Sequence, residues 1–327
     1  MGEFDLITRY FTRPAKRAVL GVGDDCALWQ VQPGMQLAVS SDMLVEGRHF
    51  LSTVPPKRLG HKALAVNLSD LAACGATPCA FTLSLALPQV DDAWLSGFAQ
   101  GLWALADAHG CELIGGDTTR GPLTIAITVW GELPPGQALL RNAAQVGDDI
   151  YISGAVGQAR MALEVFRGQL RLPSEAFERA RARMERPTPR VALGQDLRGV
   201  AHAAIDLSDG LLGDLGHILK ASGVGADIDT RWLAQARDGD THWPAHCPDL
   251  AALPWAQTLA CGLTGGDDYE LLFTAAPAQS AAVLAAAQTS ATPVSRIGRI
   301  TPHGLRVLDP QGQAIDVSGL ASFDHFA

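Results

Sequence analysis

The stretch Lys62-Ala-Leu-Ala-Val-Asn-Leu-Ser-Asp70 decides how this chain folds. Leu59, Ala63, Val66 and Ala73 recur at three- and four-residue spacing, which predicts a helix with an apolar stripe. Before it, the apolar run Leu37 to Val39 leads into Ser40-Ser41-Asp42; after it, Phe81 to Leu87 alternates and stops at Pro88. Strand, helix and strand in that order predict an α/β (α+β) protein. Asp70 falls on the apolar stripe itself, with no Lys or Arg three or four residues away. A bare carboxylate there costs several kcal/mol unless it is paired or holds a metal, and a metal is the simpler partner.

The same alternation runs through the rest of the chain. Val19 to Val22 is an apolar run meeting Gly23-Asp24-Asp25. A helix is expected over Asp91 to His109, stopped by Gly110. Strands are expected at Glu112 to Ile114, running into Gly115-Gly116-Asp117, and at Leu123 to Val129. The Gly-, Pro- and polar-rich stretch from Pro134 to Asp149 marks a domain boundary, giving domains 1–140 and 141–327. Beyond it, strands are expected at Asp149 to Ser153, Ala203 to Leu207 and Leu271 to Thr274. Helices are expected over Gln158 to Arg167, Ser174 to Glu185, Leu211 to Ala221 and Ser280 to Gln288. Gly-Gly-Asp occurs at 115–117 and again at 265–267, each after an apolar run, a hint that the two halves share an architecture.

Composition narrows the function. With 47% hydrophobic and 18% charged residues in 327, the chain can bury two cores, which excludes global disorder. A formal charge of −9 argues against a general nucleic-acid binder. The first residues lack a signal-peptide core, Leu6 breaks the myristoylation pattern, and no apolar run is long enough to span a bilayer. Six scattered cysteines with no Cys-x-x-Cys pair suit reduced thiols in a cytoplasmic protein. His242, His246 and Cys247 are the only cluster with nitrogen and sulfur donors, and it lacks a fourth ligand.

The chemical signal is a set of aspartates at expected element ends: Asp24, Asp25, Asp42, Asp70, Asp117, Asp206, Asp209, Asp267 and Asp268. Each alone suits a turn or helix cap. As a set they offer hard oxygen ligands for Mg²⁺, Mn²⁺ or Ca²⁺ rather than zinc. Divalent ions between clustered carboxylates and a polyphosphate remove the repulsion, and neighbouring glycines let backbone amides approach phosphate. The Walker, protein-kinase, nucleophile-elbow and dinucleotide patterns are absent. The residues alone give a metal-dependent enzyme acting on a phosphate compound.

Six motifs in order go further: Gly21-Val-Gly-Asp-Asp-Cys-Ala27, Ser40-Ser-Asp42, Lys62 to Asp70, Gly115-Gly-Asp-Thr-Thr-Arg120, Ile205-Asp-Leu-Ser-Asp-Gly210 and Gly265-Gly-Asp-Asp-Tyr-Glu270. Together they closely resemble the thiamine-monophosphate kinase family, of the aminoimidazole ribonucleotide synthetase-like ATP-binding enzymes, over essentially the whole chain. The resemblance implies two α/β domains, with a homodimer formed through the N-terminal ones. It implies a Mg²⁺ cluster held by Asp25, Ser40, Ser41, Asp42, Asp70, Asp117 and Asp206, with Asp209 a further ligand. Gly116, Asp117, Arg141 and Ser208 match ATP-binding positions; His49, Asp267 and Phe323 match positions around thiamine monophosphate. Asp267 stands where the family usually has Glu, and Phe323 where it often has Tyr. The implied reaction is direct transfer of the γ-phosphoryl of ATP to thiamine monophosphate, the last step to thiamine diphosphate. Alternatives are another ATP-dependent synthetase of the superfamily, a metal-dependent phosphohydrolase, or a non-enzymatic metal-binding scaffold.

Overall fold

The computed structural model describes residues 2–233 and 247–323. His242 and His246 lie outside the described residues. The chain divides into two compact units, Met1–Leu71 with Ala76–Gly136, and Ala72–Gly75 with Gln137–Ala327.

The first unit opens with the short helix α1 (Glu3–Leu6) and a π turn (Ile7–Phe11). Strand β1 (Gln36–Val45), helix α2 (Pro56–Cys74), β2 (Thr77–Leu87), α3 (Asp92–His109), β3 (Glu112–Arg120) and β4 (Thr124–Leu133) follow. The strands form one sheet in the order β1-β4-β2-β3. β4 runs antiparallel to both β1 and β2, whereas β2 and β3 are parallel. The bounds of α3 have local causes. The Asp91 carboxylate accepts from the N–H groups of Ala93 and Trp94, and Gly110 ends the helix in left-handed conformation at φ 59°. Leu64, Leu68, Phe81, Leu85, Phe98, Leu102 and Ile125 are buried, so the apolar stripes of both helices and one face of the sheet make the core.

The second unit holds β5 (Asp149–Ser153), α4 (Gln158–Phe166), α5 (Ser174–Glu185), α6 (Val191–Asp196) and β6 (Ala203–Asp206). It continues with α7 (Leu211–Ser222), β7 (Gly225–Asp229), α8 (Pro248–Ala251), α9 (Trp255–Thr264), β8 (Leu271–Ala275), α10 (Ser280–Thr289), β9 (Val294–Thr301), β10 (Leu305–Leu308) and β11 (Ala314–Ile315). Its seven-stranded sheet has the order β11-β10-β7-β9-β5-β8-β6. Strands β5 and β8 are buried at every residue, as central strands covered on both faces should be. The architecture is the mixed α/β expected from the sequence.

Four local expectations change. Val19 to Val22 forms only isolated bridges, Leu20 with Leu28 and Val22 with Asp24, because the glycines around it turn the chain (Gly23 has φ 127°). Gly115-Gly116-Asp117 does not follow a strand; it lies within β3, beside a register shift at Phe81/Thr82 of β2. Asp42 likewise sits inside β1, paired with Ile127. The second Gly-Gly-Asp follows the last turn of a helix, α9, so the two copies are not equivalent places in one architecture.

Candidate active site

In the first unit, pleating sorts the β1 residues. Ala38, Ser40, Asp42 and Leu44 are the more buried set, and Leu37, Val39, Ser41 and Met43 the exposed one. The Ser40 hydroxyl donates to Asp70 Oδ2 at 2.5 Å, and Asn67 Oδ1, one helical turn earlier, accepts the Asp42 N–H at 3.0 Å. Buried Asn67 is itself held by donating to the Ala63 carbonyl. Helix α2 therefore fixes both Ser40 and Asp42, and Asp70 has a hydroxyl partner as well as its expected metal role. Ser41 faces the other way, its hydroxyl on Thr128 Oγ1 at 2.9 Å and the Ile127 carbonyl at 3.2 Å.

Asp42, Ile127, Leu83 and Gly116 form one row across the sheet, so the Gly116–Asp117 segment stands level with Asp42 on the far edge strand. Three strand spacings of about 4.8 Å put β1 and β3 about 14 Å apart, too far for one ion to bridge. Gly116 is obligatory there: its φ is 145°, and a Cβ would fall on the Leu83 carbonyl. Asp25 is exposed, its N–H held by the Asp24 carboxylate. The Val45 N–H donates to His49 Nδ1 at 3.0 Å, which puts the proton of the neutral ring on Nε2 and makes that nitrogen a donor. Buried Lys62 donates to the His49 carbonyl.

In the second unit, two of the sequence motifs are laced together. Strand β6 ends at Asp206, opposite Leu271 at the start of β8. Beyond that pair, Leu207 N donates to the Glu270 carbonyl, Tyr269 N to Leu207, and Asp267 N to Ser208, at 2.8–2.9 Å. Phe323 N donates to the Asp209 carbonyl at 3.1 Å. Asp206, Ser208, Asp209, Asp267 and Phe323 thus gather at one end of the sheet, at the N-terminus of α7. The buried Asp214 carboxylate caps that turn, accepting from Asp209 N and Gly210 N. Burial, with the Asp209 charge beside it, pushes Asp214 up to about 7. Arg141 is placed elsewhere: its carbonyl accepts from Ser222 at the opposite end of α7.

The donor set consists of carboxylate and hydroxyl oxygens, which suits Mg²⁺. Among the described residues no three His, Cys, Asp or Glu side chains already converge on a metal position.

Sequence reasoning singled out Asp268 as one of the aspartates but gave no role to Asn67 or Glu270. Asn67 carried a signal, one turn from Asp70 on the same helix. Glu270 lies within a quoted motif, but its partners Arg190 and Ser153 are 80 and 117 residues away.

Family models of AIR synthase related protein match this chain, the N-terminal domain over residues 23–133 and the C-terminal domain over 135–309. Fold and site thus define a two-domain AIR synthase related protein. Thiamine-monophosphate kinase of Salmonella typhimurium is 44% identical over 333 residues, covering 100% of this chain and 98% of the relative. The crystal structure of thiamine-monophosphate kinase from Stenotrophomonas maltophilia K279a has a TM-score of 0.82 at 44% identity, over 95% of this chain and 96% of that one. AaThiL complexed with AMPPCP and TMP has a TM-score of 0.74 at 26% identity, over 90% and 88%. The chain belongs to the thiamine-monophosphate kinase family.

Proposed function

We propose that this protein transfers the γ-phosphoryl group of ATP to thiamine monophosphate, giving thiamine diphosphate and ADP. The observation that carries the reading is the lacing of the Asp206–Gly210 and Gly265–Glu270 loops, in a chain whose family includes a structure complexed with AMPPCP and TMP. Mg²⁺ is the ion the oxygen donors suit. Several ions are assigned: Asp25, Ser40, Ser41, Asp42, Asp70 and Asp117 are the proposed ligands in the first unit, and Asp206 and Asp209 in the second. When bound, Mg²⁺ neutralises charge on the transferring phosphoryl group.

The protein's own part is positioning. Gly116, Asp117 and Ser208 are assigned to ATP, without Arg141, whose backbone lies at the opposite end of α7; His49, Asp267 and Phe323 are assigned to thiamine monophosphate. The His49 Nε2–H offers a donor for phosphate. Phe323 is 41% exposed and its N–H donates to the Asp209 carbonyl; its ring is assigned to the cationic thiazolium, which favours an aromatic face. Ser40, whose hydroxyl is bonded to Asp70, is assigned with it to metal binding and not to attack on phosphate, so transfer is direct.

Residues 1–140 are assigned to ATP, metal and dimer formation, and 141–327 to the rest of the site. The exposed face of edge strand β1, with Leu37, Val39 and Met43, is the surface on which a homodimer would form. No helix among the described residues is long and apolar enough to cross a membrane, and the protein is assigned to the cytoplasm.

The test is incubation with ATP, Mg²⁺ and thiamine monophosphate. Expected are thiamine diphosphate and ADP in equal amounts, no product in excess chelator, and loss of turnover without loss of fold in Asp70→Asn and Asp117→Asn. Release of thiamine and free phosphate instead would make it a phosphohydrolase.

A further inference from the structure

The motif Gly265-Gly-Asp-Asp-Tyr-Glu270 holds three acids, and only Asp267 has a place in the proposed site. Its backbone is unusual. Asp267 has φ 68° and Tyr269 φ 51°, the left-handed region that non-glycine residues rarely enter. Such a pair persists only where the surroundings impose it. The surroundings are visible. On one side of the loop, Asp268 Oδ2 accepts the Gly157 N–H at 2.6 Å and Oδ1 reaches the Ala159 N–H at 3.5 Å. Gly157 is the N-cap of α4 and has no side chain to cap it, so Asp268 supplies that cap from 111 residues away. On the other side, buried Glu270 takes the Ser153 hydroxyl at 2.5 Å and a two-pronged Arg190 guanidinium at 2.5 and 2.6 Å. Between the two clamps, Asp267 N and Tyr269 N bond back to Ser208 and Leu207. The Tyr269 hydroxyl lies 3.3 Å from Asp267 Oδ1.

We infer that Asp268 and Glu270 are positioning residues: they clamp the loop to α4 and β5, and so hold Asp267 in the strained conformation that presents its carboxylate to the substrate. This rests on the assignment of Asp267 to thiamine monophosphate. Asp268 touches no reacting atom; it acts through the backbone on its N-terminal side. A loop freed from its clamp relaxes out of the left-handed region, and the Asp267 carboxylate moves with it. Misplacement of a binding group by about an ångström is enough for a large kinetic loss.

The experiment is a double-mutant cycle on the full-length enzyme with Asp267→Ala, Asp268→Ala and the pair, reading KM and kcat for thiamine monophosphate and ATP. Asp268→Ala should raise KM for thiamine monophosphate about ten-fold. The pair should be no worse than Asp267→Ala alone, because the clamp has no further carboxylate to place. Asp268→Asn keeps an acceptor oxygen for Gly157 N–H and should restore KM to within about three-fold of the parent. Ser153→Ala, which loosens the Glu270 side, should raise the same KM by a smaller factor and covers the case in which Asp268→Ala does not fold. Independent, additive losses in the cycle would overturn the inference. So would an unchanged KM in both Asp268→Ala and Ser153→Ala alongside a raised KM in Asp267→Ala. If Asp267→Ala alone leaves KM unchanged, the assignment of Asp267 to the substrate is what fails, and the inference falls with it.

Discussion

Glu270 and Arg190 form a deeply buried ion pair in the second unit, and a large stability effect follows from its geometry. Their side chains are 3% and 11% exposed, and both guanidinium prongs reach the carboxylate. Removing the carboxylate charge with Glu270→Gln leaves a guanidinium that water can scarcely reach. Breaking a buried pair from one side costs about 3–5 kcal/mol, most of it from the stranded charge rather than the lost attraction. Arg190→Met strands Glu270 in the same way, though the Ser153 hydroxyl still serves it. The double substitution strands neither charge. It should therefore cost far less than the two singles combined, leaving a coupling of about 2–3 kcal/mol. Urea unfolding of the four proteins, with hydrogen exchange of β5 and β8 amides to localise the loss to the second unit, measures that coupling. Additive single effects, or a Glu270→Gln protein within about 1 kcal/mol of the parent, would refute the reasoning that the pair is desolvated.

Gly116→Ala should be destabilised by more than about 2 kcal/mol, because a Cβ at φ 145° meets the backbone of β2, which cannot yield cheaply; a melting temperature within about 2 °C of the parent would contradict this. Asp214, raised to about 7 when folded, carries its proton in the native state at pH values where the unfolded chain has lost it. Its contribution to stability is thus complete below about pH 4 and is lost as pH rises through about 7, a total of about 4 kcal/mol with roughly 2–3 of it between pH 5 and 8. Asp214→Asn should flatten that part of the profile in chelator, and parallel urea-midpoint profiles for the two proteins would exclude it.

What was legible in the sequence was whatever depends on near neighbours. The helix bounds of α3 follow from Asp91, Gly110 and the apolar period, because caps and stripes act within one or two turns. The boundary zone after Pro134 is a matter of composition. The six ordered motifs carried the family, since their order survives whatever the chain does between them. Three-dimensional pairing decided the rest. That Asp42 and Gly116 share one row depends on the register of three strand pairs; that Ser41 faces away from Ser40 depends on a pleat with a period of two. Asp206, Ser208, Asp209 and Asp267 meet because β6 and β8 are neighbours, and Phe323 joins them through its bond to the Asp209 carbonyl. Asp268 caps a helix 111 residues earlier, and Glu270 meets Arg190 across 80. Chain distance says nothing about such partners; a buried carboxylate must find a donor somewhere, and only the folded backbone determines which one is within reach.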